Sequence, residues 1–127
     1  MDARLLWVGS GGFLGAIARY AVSGWVYRWV GESVLPYGTI AVNLAGCLLI
    51  GFLMGLTEEY GLFSPQARLF LLVGFLGSFT TFSTFGYETF ALFRTYTLTY
   101  GLLNIGVHLA GGLVGVWLGL MIAGLLR

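Results

Sequence analysis

Four long apolar stretches, at about 5–30, 37–56, 69–93 and 98–126, alternate with short polar connections along the chain. Each is near or above the ~20 residues a helix needs to cross ~30 Å of hydrocarbon. The pattern predicts an all-α membrane protein, one domain over residues 1–127 with four transmembrane helices. The connection from Glu32 to Tyr37 carries Pro36, and that from Thr57 to Ala67 carries Glu58, Glu59 and Pro65, so both read as polar turns between spans. Ser64-Pro65 is placed to cap and start the third span, and Arg94-Thr95-Tyr96-Thr97 makes the last turn.

Within the third stretch, Gly77-Ser78-Phe79-Thr80-Thr81-Phe82-Ser83-Thr84-Phe85 sets hydroxyls and phenyl rings side by side at membrane depth. Gly77, Ser78, Thr80, Thr81, Ser83 and Thr84 all compete with helix, so the third helix is expected to break near its middle. In lipid, backbone groups freed by a break must line a cavity or bind an ion. Discontinuous helices at the midplane are a transporter signature. Glycines recur at four-residue spacing in the other spans, with Gly11 and Gly15 in the first, Gly51 and Gly55 in the second, and Gly111, Gly115 and Gly119 in the fourth. Each set falls on one helix face and lets a neighbouring backbone approach, which speaks for a tight bundle and says nothing of cargo.

Composition narrows the function classes. Of 127 residues, 58% are hydrophobic and 9% charged, with a net charge of +1, which excludes an ordinary soluble domain. No extramembrane catalytic or nucleotide-binding domain fits, no nucleic-acid partner is expected, and function is sought inside the bilayer. Ala16-Ile17-Ala18 resembles a signal-peptide cleavage site. The n-region Met1-Asp2-Ala3-Arg4 nevertheless lacks net positive charge, Gly9-Ser10-Gly11-Gly12 interrupts the apolar run, and apolar character resumes after Arg19. Cys47, alone, has no intrachain disulfide partner. All six basic residues are Arg. With alternating spans, Arg4, Arg68 and Arg127 fall on one side and Arg28 and Arg94 on the other. A bias this small leaves orientation unset and makes an antiparallel homodimer the natural assembly; the other reading is a weak bias resolved by another cue.

Polar residues at membrane depth are the candidate chemistry. Arg19 in the first span fits either a water-filled vestibule that draws anions inward or a side chain that snorkels to the interface. Asn43 lies mid-span with Thr39 one turn earlier on the same face, either as interhelical glue or as an amide donor along a pathway. Phe75, Phe79, Phe82 and Phe85 recur every three or four residues as a stripe, with Thr81, Thr84 and Glu88 at helical spacing beside it. Phenyl edges carry partial positive charge. They can touch a small anion without holding it, as a permeation site requires. Carbonyls freed around Gly77 and Thr80 suit a hard cation such as Na⁺. Glu88 fits a proton carrier, a pore-lining group exchanging hydrogen bonds with Ser83 and Thr39, or an interfacial residue. Asn104 and His108 form a polar stripe on the fourth span toward Gly112, and one His makes no metal site. Paired carboxylates, a nucleophile with base, and a phosphate-cradling loop are absent, so no enzyme is expected.

Taken together, Gly11-Gly12-Phe13-Leu14-Gly15-Ala16-Ile17-Ala18-Arg19-Tyr20, Gly38-Thr39-Ile40-Ala41-Val42-Asn43-Leu44-Ala45-Gly46 and Gly74 through Phe85 resemble the Fluc/CrcB family of fluoride channels. Three motifs in order across the first three spans make the resemblance specific. It implies an antiparallel, dual-topology homodimer in the cell (inner) membrane, with two fluoride pores and passive export. By the same resemblance, Phe82 and Phe85 supply ring edges and Asn43 an amide donor. The Gly77 and Thr80 carbonyls hold a structural, untransported Na⁺ at the dimer centre. Thr39, Ser83 and Glu88 match the polar cluster along the path, and Arg19 the arginine of the first motif. The fourth span departs from the pattern: where some relatives carry a tyrosine and then serines, this chain has Asn104, His108 and Gly112. The competing reading is a small four-helix proton-coupled multidrug antiporter, which would need a carboxylate in the first span where this chain has Arg19. A non-transporting scaffold subunit would leave the midplane hydroxyls without purpose.

Overall fold

The first helix begins where the chain first offers a cap. The Asp2 carboxylate accepts from the Arg4 N–H at 3.0 Å and opens α1 (Ala3–Val30), which stops at Gly31 in a positive-φ conformation (φ 79°). In this computed structural model residues 2–126 are described, and Arg127, expected on the Arg4 and Arg68 side, lies outside them. After Pro36, α2 (Tyr37–Tyr60) runs to Gly61, whose left-handed φ of 60° and ψ of 29° turn the chain and return its N–H to the Thr57 carbonyl at 3.0 Å. The helix thus outlasts the apolar stretch by four residues. Glu58 and Glu59 are good helix formers, and charge ends membrane burial without ending a helix. The connection expected over 57–67 shrinks accordingly to 61–64.

Ser64 starts the third span as expected, its hydroxyl accepting from the Ala67 N–H at 3.1 Å, with Pro65 in the first turn. The span continues as α3 (Pro65–Arg68), a π-helical segment (Leu69–Leu76) and α4 (Gly77–Phe79). Thr80 (φ −89°, ψ 159°) and Thr81 (φ −149°, ψ 114°) are extended, and α5 (Phe82–Thr95) follows. Thr97 caps α6 (Leu98–Gly124) by accepting from the Tyr100 N–H at 3.3 Å. Among the described residues, four helical stretches are long and apolar enough to cross a membrane: Ala3–Val30, Tyr37–Tyr60, Pro65–Thr95 and Leu98–Gly124.

Two glycine-lined contacts build the bundle. A Cβ on Gly15 would strike the Phe75 carbonyl, and one on Gly74 would meet the Val8 carbonyl, so α1 lies backbone to backbone on the π segment. A Cβ on Gly51 would strike the Val116 carbonyl and one on Gly119 the Leu48 carbonyl, so α2 and α6 are equally close. The i→i+5 segment has no counterpart in the sequence reading, because Leu69–Leu76 carries no residue that marks a widened turn. Val42, Leu76 and Phe79 form a small buried cluster, while Phe13, Leu113 and many other large apolar side chains face outward. Asn104, at 0% exposure, is as buried as any residue described. A polar group inside and an apolar skin outside is the arrangement that lipid, as the solvent, rewards.

Candidate functional site: the interruption after Phe79 and the cavity beside it

The N–H of Thr80 and both backbone groups of Thr81, between α4 and α5, find specific partners. The Thr80 N–H and hydroxyl both donate to the Leu76 carbonyl, at 3.1 and 3.0 Å, and close the preceding turn. The Thr81 hydroxyl accepts from the Thr84 N–H at 3.2 Å as the cap of α5, and donates to the Thr84 hydroxyl at 3.0 Å. The N–H and C=O of Thr81 itself are met from another helix. Asn43, reaching over from α2, takes both: its Oδ1 accepts from the Thr81 N–H at 2.8 Å and its Nδ2 donates to the Thr81 carbonyl at 3.1 Å. An amide is the one neutral side-chain group that can mirror a peptide in this way. In an uninterrupted helix the Thr81 N–H would go to the Gly77 carbonyl; here it is diverted, and the Gly77 oxygen loses its i+4 donor.

A cavity of about 370 Å³ opens beside this clamp, with Asn43, Gly77, Thr80, Phe82, Phe85 and His108 in its wall. The Phe82 and Phe85 rings lie 5.6 Å apart at 56°, and the Phe85 ring sits 4.3 Å from the His108 imidazole. The expected stripe of four phenylalanines on one helix face is not what forms. Phe75 and Phe79 stack at 5.8 Å, and Phe79 is buried in the core, whereas Phe82 is 82% exposed. The two extended residues reset the helical phase, and the stripe divides into a packing pair and a cavity pair.

The remaining candidates fall into three groups. Thr39 donates to Glu88 Oε1 at 2.9 Å, while Glu88 Oε2 is buried with no hydrogen-bond partner among the described residues; Glu88 faces a second cavity of about 260 Å³ near Tyr27, Pro36 and Tyr96. Ser83 does not join that pair, because its hydroxyl lies 3.4 Å from the Thr81 hydroxyl and stays with the cap. Asn104 donates from Nδ2 to the Thr89 hydroxyl at 2.9 Å, and Thr89 in turn donates to the Phe85 carbonyl at 2.7 Å, so the fourth span grips α5 directly behind the cavity pair. Thr89 was missed from sequence; its four-residue spacing from Phe85 was the available signal. His108 Nδ1 lies 3.0 Å from the Asn104 carbonyl. A carbonyl only accepts, so Nδ1 donates in this contact, and the buried Nε2 has no hydrogen-bond partner among the described residues. Arg19 is half-buried on α1 and makes no ion pair among the described residues.

Comparison with known proteins agrees with the motifs. Residues 6–120 match the family model described as "CrcB-like protein, Camphor Resistance (CrcB)". A relative from Hydrogenovibrio crunogenus, named fluoride-specific ion channel FluC, is 48% identical over 92% of this chain and 88% of its own. Relatives of the same name from Acidobacterium capsulatum and Geotalea daltonii are 43% and 45% identical, covering 94% of this chain and 94% and 95% of theirs. With four membrane-length apolar helices, this is a multi-pass membrane protein. Motif order, span count and identity along nearly the whole length agree, and the chain belongs to the CrcB family.

Proposed function

We propose that this protein is a fluoride-selective channel that lets fluoride leave the cytoplasm passively across the cell (inner) membrane. The observation that carries the reading is the meeting of Asn43, Phe82 and Phe85 on one cavity wall beside the helix interruption, in a chain whose relatives are named fluoride-specific ion channels. Fluoride is small and strongly hydrated, so a path for it must replace water with several modest donors. Asn43 spends one amide N–H on Thr81 and retains a second, and the tilted rings of Phe82 and Phe85 present edges. None of these carries a full charge that would trap an anion. An inside-negative potential favours anion exit by ~2.3 kcal/mol per charge per 100 mV, and no coupling device is needed.

The assembly in this reading is an antiparallel, dual-topology homodimer with two pores. Gly77 is exposed on the single chain and its carbonyl has lost its helical donor, which fits a hard cation drawn from solution. With the Thr80 carbonyl it would hold a structural, untransported Na⁺ between two copies and tie the two interruptions together. Thr39, Glu88 and Ser83 continue the polar path, with Asn104 and His108 behind Phe85. Arg19 raises the local anion concentration at the approach. The test is efflux from liposomes loaded with equal fluoride and chloride, followed with ion-selective electrodes. Fluoride should leave far faster than chloride and without a proton gradient. Equal halide leakage, or flux that demands a proton gradient, would overturn the reading.

A further inference from the structure

At the α1 start, a groove of about 500 Å³, which shares Leu72 with the cavity beside Asn43, joins two arginines to an apolar floor. Arg4 from α1 and Arg68 from α3 border it together with Gln66, and Met54, Leu69 and Val73 line its depth. Arg68 makes no ion pair among the described residues, and Arg4 has only a loose contact with Asp2 at 3.8 Å, both side chains exposed. Among the described residues no carboxylate lines the groove. From Pro65 to Val73 the span descends eight residues, about 12 Å at helical rise. The groove therefore begins at the water boundary, where the spans start, and ends well inside the hydrocarbon. Val73 at its lower end is 56% exposed.

We propose that this groove is a site for an anionic phospholipid, its phosphate between Arg4 and Arg68 and one acyl chain along Leu69 and Val73. Two guanidinium forks match phosphate oxygens, and arginine stems lie readily along apolar surface while their heads stay at the headgroup level. Basic pockets between transmembrane helices are where acidic headgroups settle. A free phosphate would satisfy the arginines and leave the apolar floor uncovered, whereas a zwitterionic lipid would cover the floor and bring a choline cation toward the guanidinium groups. The anionic lipid satisfies both halves.

The test uses the full chain, purified and delipidated in neutral detergent, with thermal unfolding followed as phosphatidylglycerol is added. Phosphatidylcholine of the same acyl composition, inorganic phosphate and glycerol 3-phosphate are the comparison arms. Phosphatidylglycerol should raise the unfolding temperature saturably and the other three should not. Arg4→Gln and Arg68→Gln should each weaken the response ~5-fold. Val73→Trp, which fills the exposed lower groove without touching a charge, should abolish it and carries the test should either arginine variant lose its lipid-free transition. An equal response to phosphatidylcholine, a full response to phosphate alone, or wild-type titration by Val73→Trp overturns the site. So does a lipid-insensitive chain whose Val73→Trp variant changes oligomeric state, since a second copy would then occupy the groove.

Discussion

Replacing Asn43 tests whether one side chain closes the interruption after Phe79. Asn43→Leu keeps much of the volume and removes two hydrogen bonds, those at 2.8 and 3.1 Å to the N–H and C=O of Thr81. Thr81 is buried, so little water reaches the stranded pair. Each unmet backbone group costs about 1–3 kcal/mol. Hydrogen bonds in membrane bundles average only ~0.6 kcal/mol, because the separated helices find other partners. The sum should therefore fall between about 1 and 6 kcal/mol. Asn43→Asp separates the two halves of the clamp. It keeps an oxygen for the Thr81 N–H; protonated, its O–H can still donate to the Thr81 carbonyl, and ionised, it sets an oxygen against that carbonyl and adds negative charge to an anion path. The assay pairs denaturant-induced unfolding in mixed micelles with fluoride-electrode efflux from liposomes. Asn43→Leu should lose both stability and flux, and Asn43→Asp should keep more stability than Asn43→Leu while losing flux as fully. Wild-type stability in Asn43→Leu would refute the clamp. Wild-type flux in Asn43→Asp would remove the amide from the pathway.

Four further outcomes follow from other parts of the structure. Phe82→Ile should cut fluoride efflux at least tenfold with little change in unfolding, since the Phe82 ring is 82% exposed on the single chain; unchanged efflux would take the ring off the path. Gly51→Val should part α2 from α6, where any Cβ meets the Val116 carbonyl, and cost several kcal/mol on the scale of overpacked cores, seen as a lowered unfolding temperature. Thr39→Val leaves both Glu88 oxygens without a partner, so it should slow efflux, and Glu88→Gln, whose amide can meet the Thr39 hydroxyl, should slow it less; the reverse order would detach the pair from conduction. Replacing Na⁺ by a large organic cation during purification should lower activity and dimer stability, and indifference to Na⁺ would reject the cation site at Gly77 and Thr80.

The spans were legible because a membrane imposes length and polarity directly: stretches of 20 or more apolar residues appear as helices within a few positions of where the pattern put them. The Ser64-Pro65 start was legible too, being written in neighbouring residues. Within the threonine-rich segment, Thr80 and Thr81 have extended backbone. Partnership between distant residues was not legible. The reciprocal bond of Asn43 with Thr81 joins residues 38 apart, and nothing within either segment states it. The bond from Asn104 to Thr89 was not legible for the same reason, nor was the withdrawal of Ser83 from Glu88. The phenylalanine stripe misled because periodicity presumes an unbroken helix, and two extended residues sent one pair to the core and the other to the cavity. The sequence by itself determined what must lie in lipid and where helix would be hard to sustain, since both depend on local composition. Only the tertiary structure decided which freed backbone group meets which side chain, because that depends on how closely glycine faces let the helices approach.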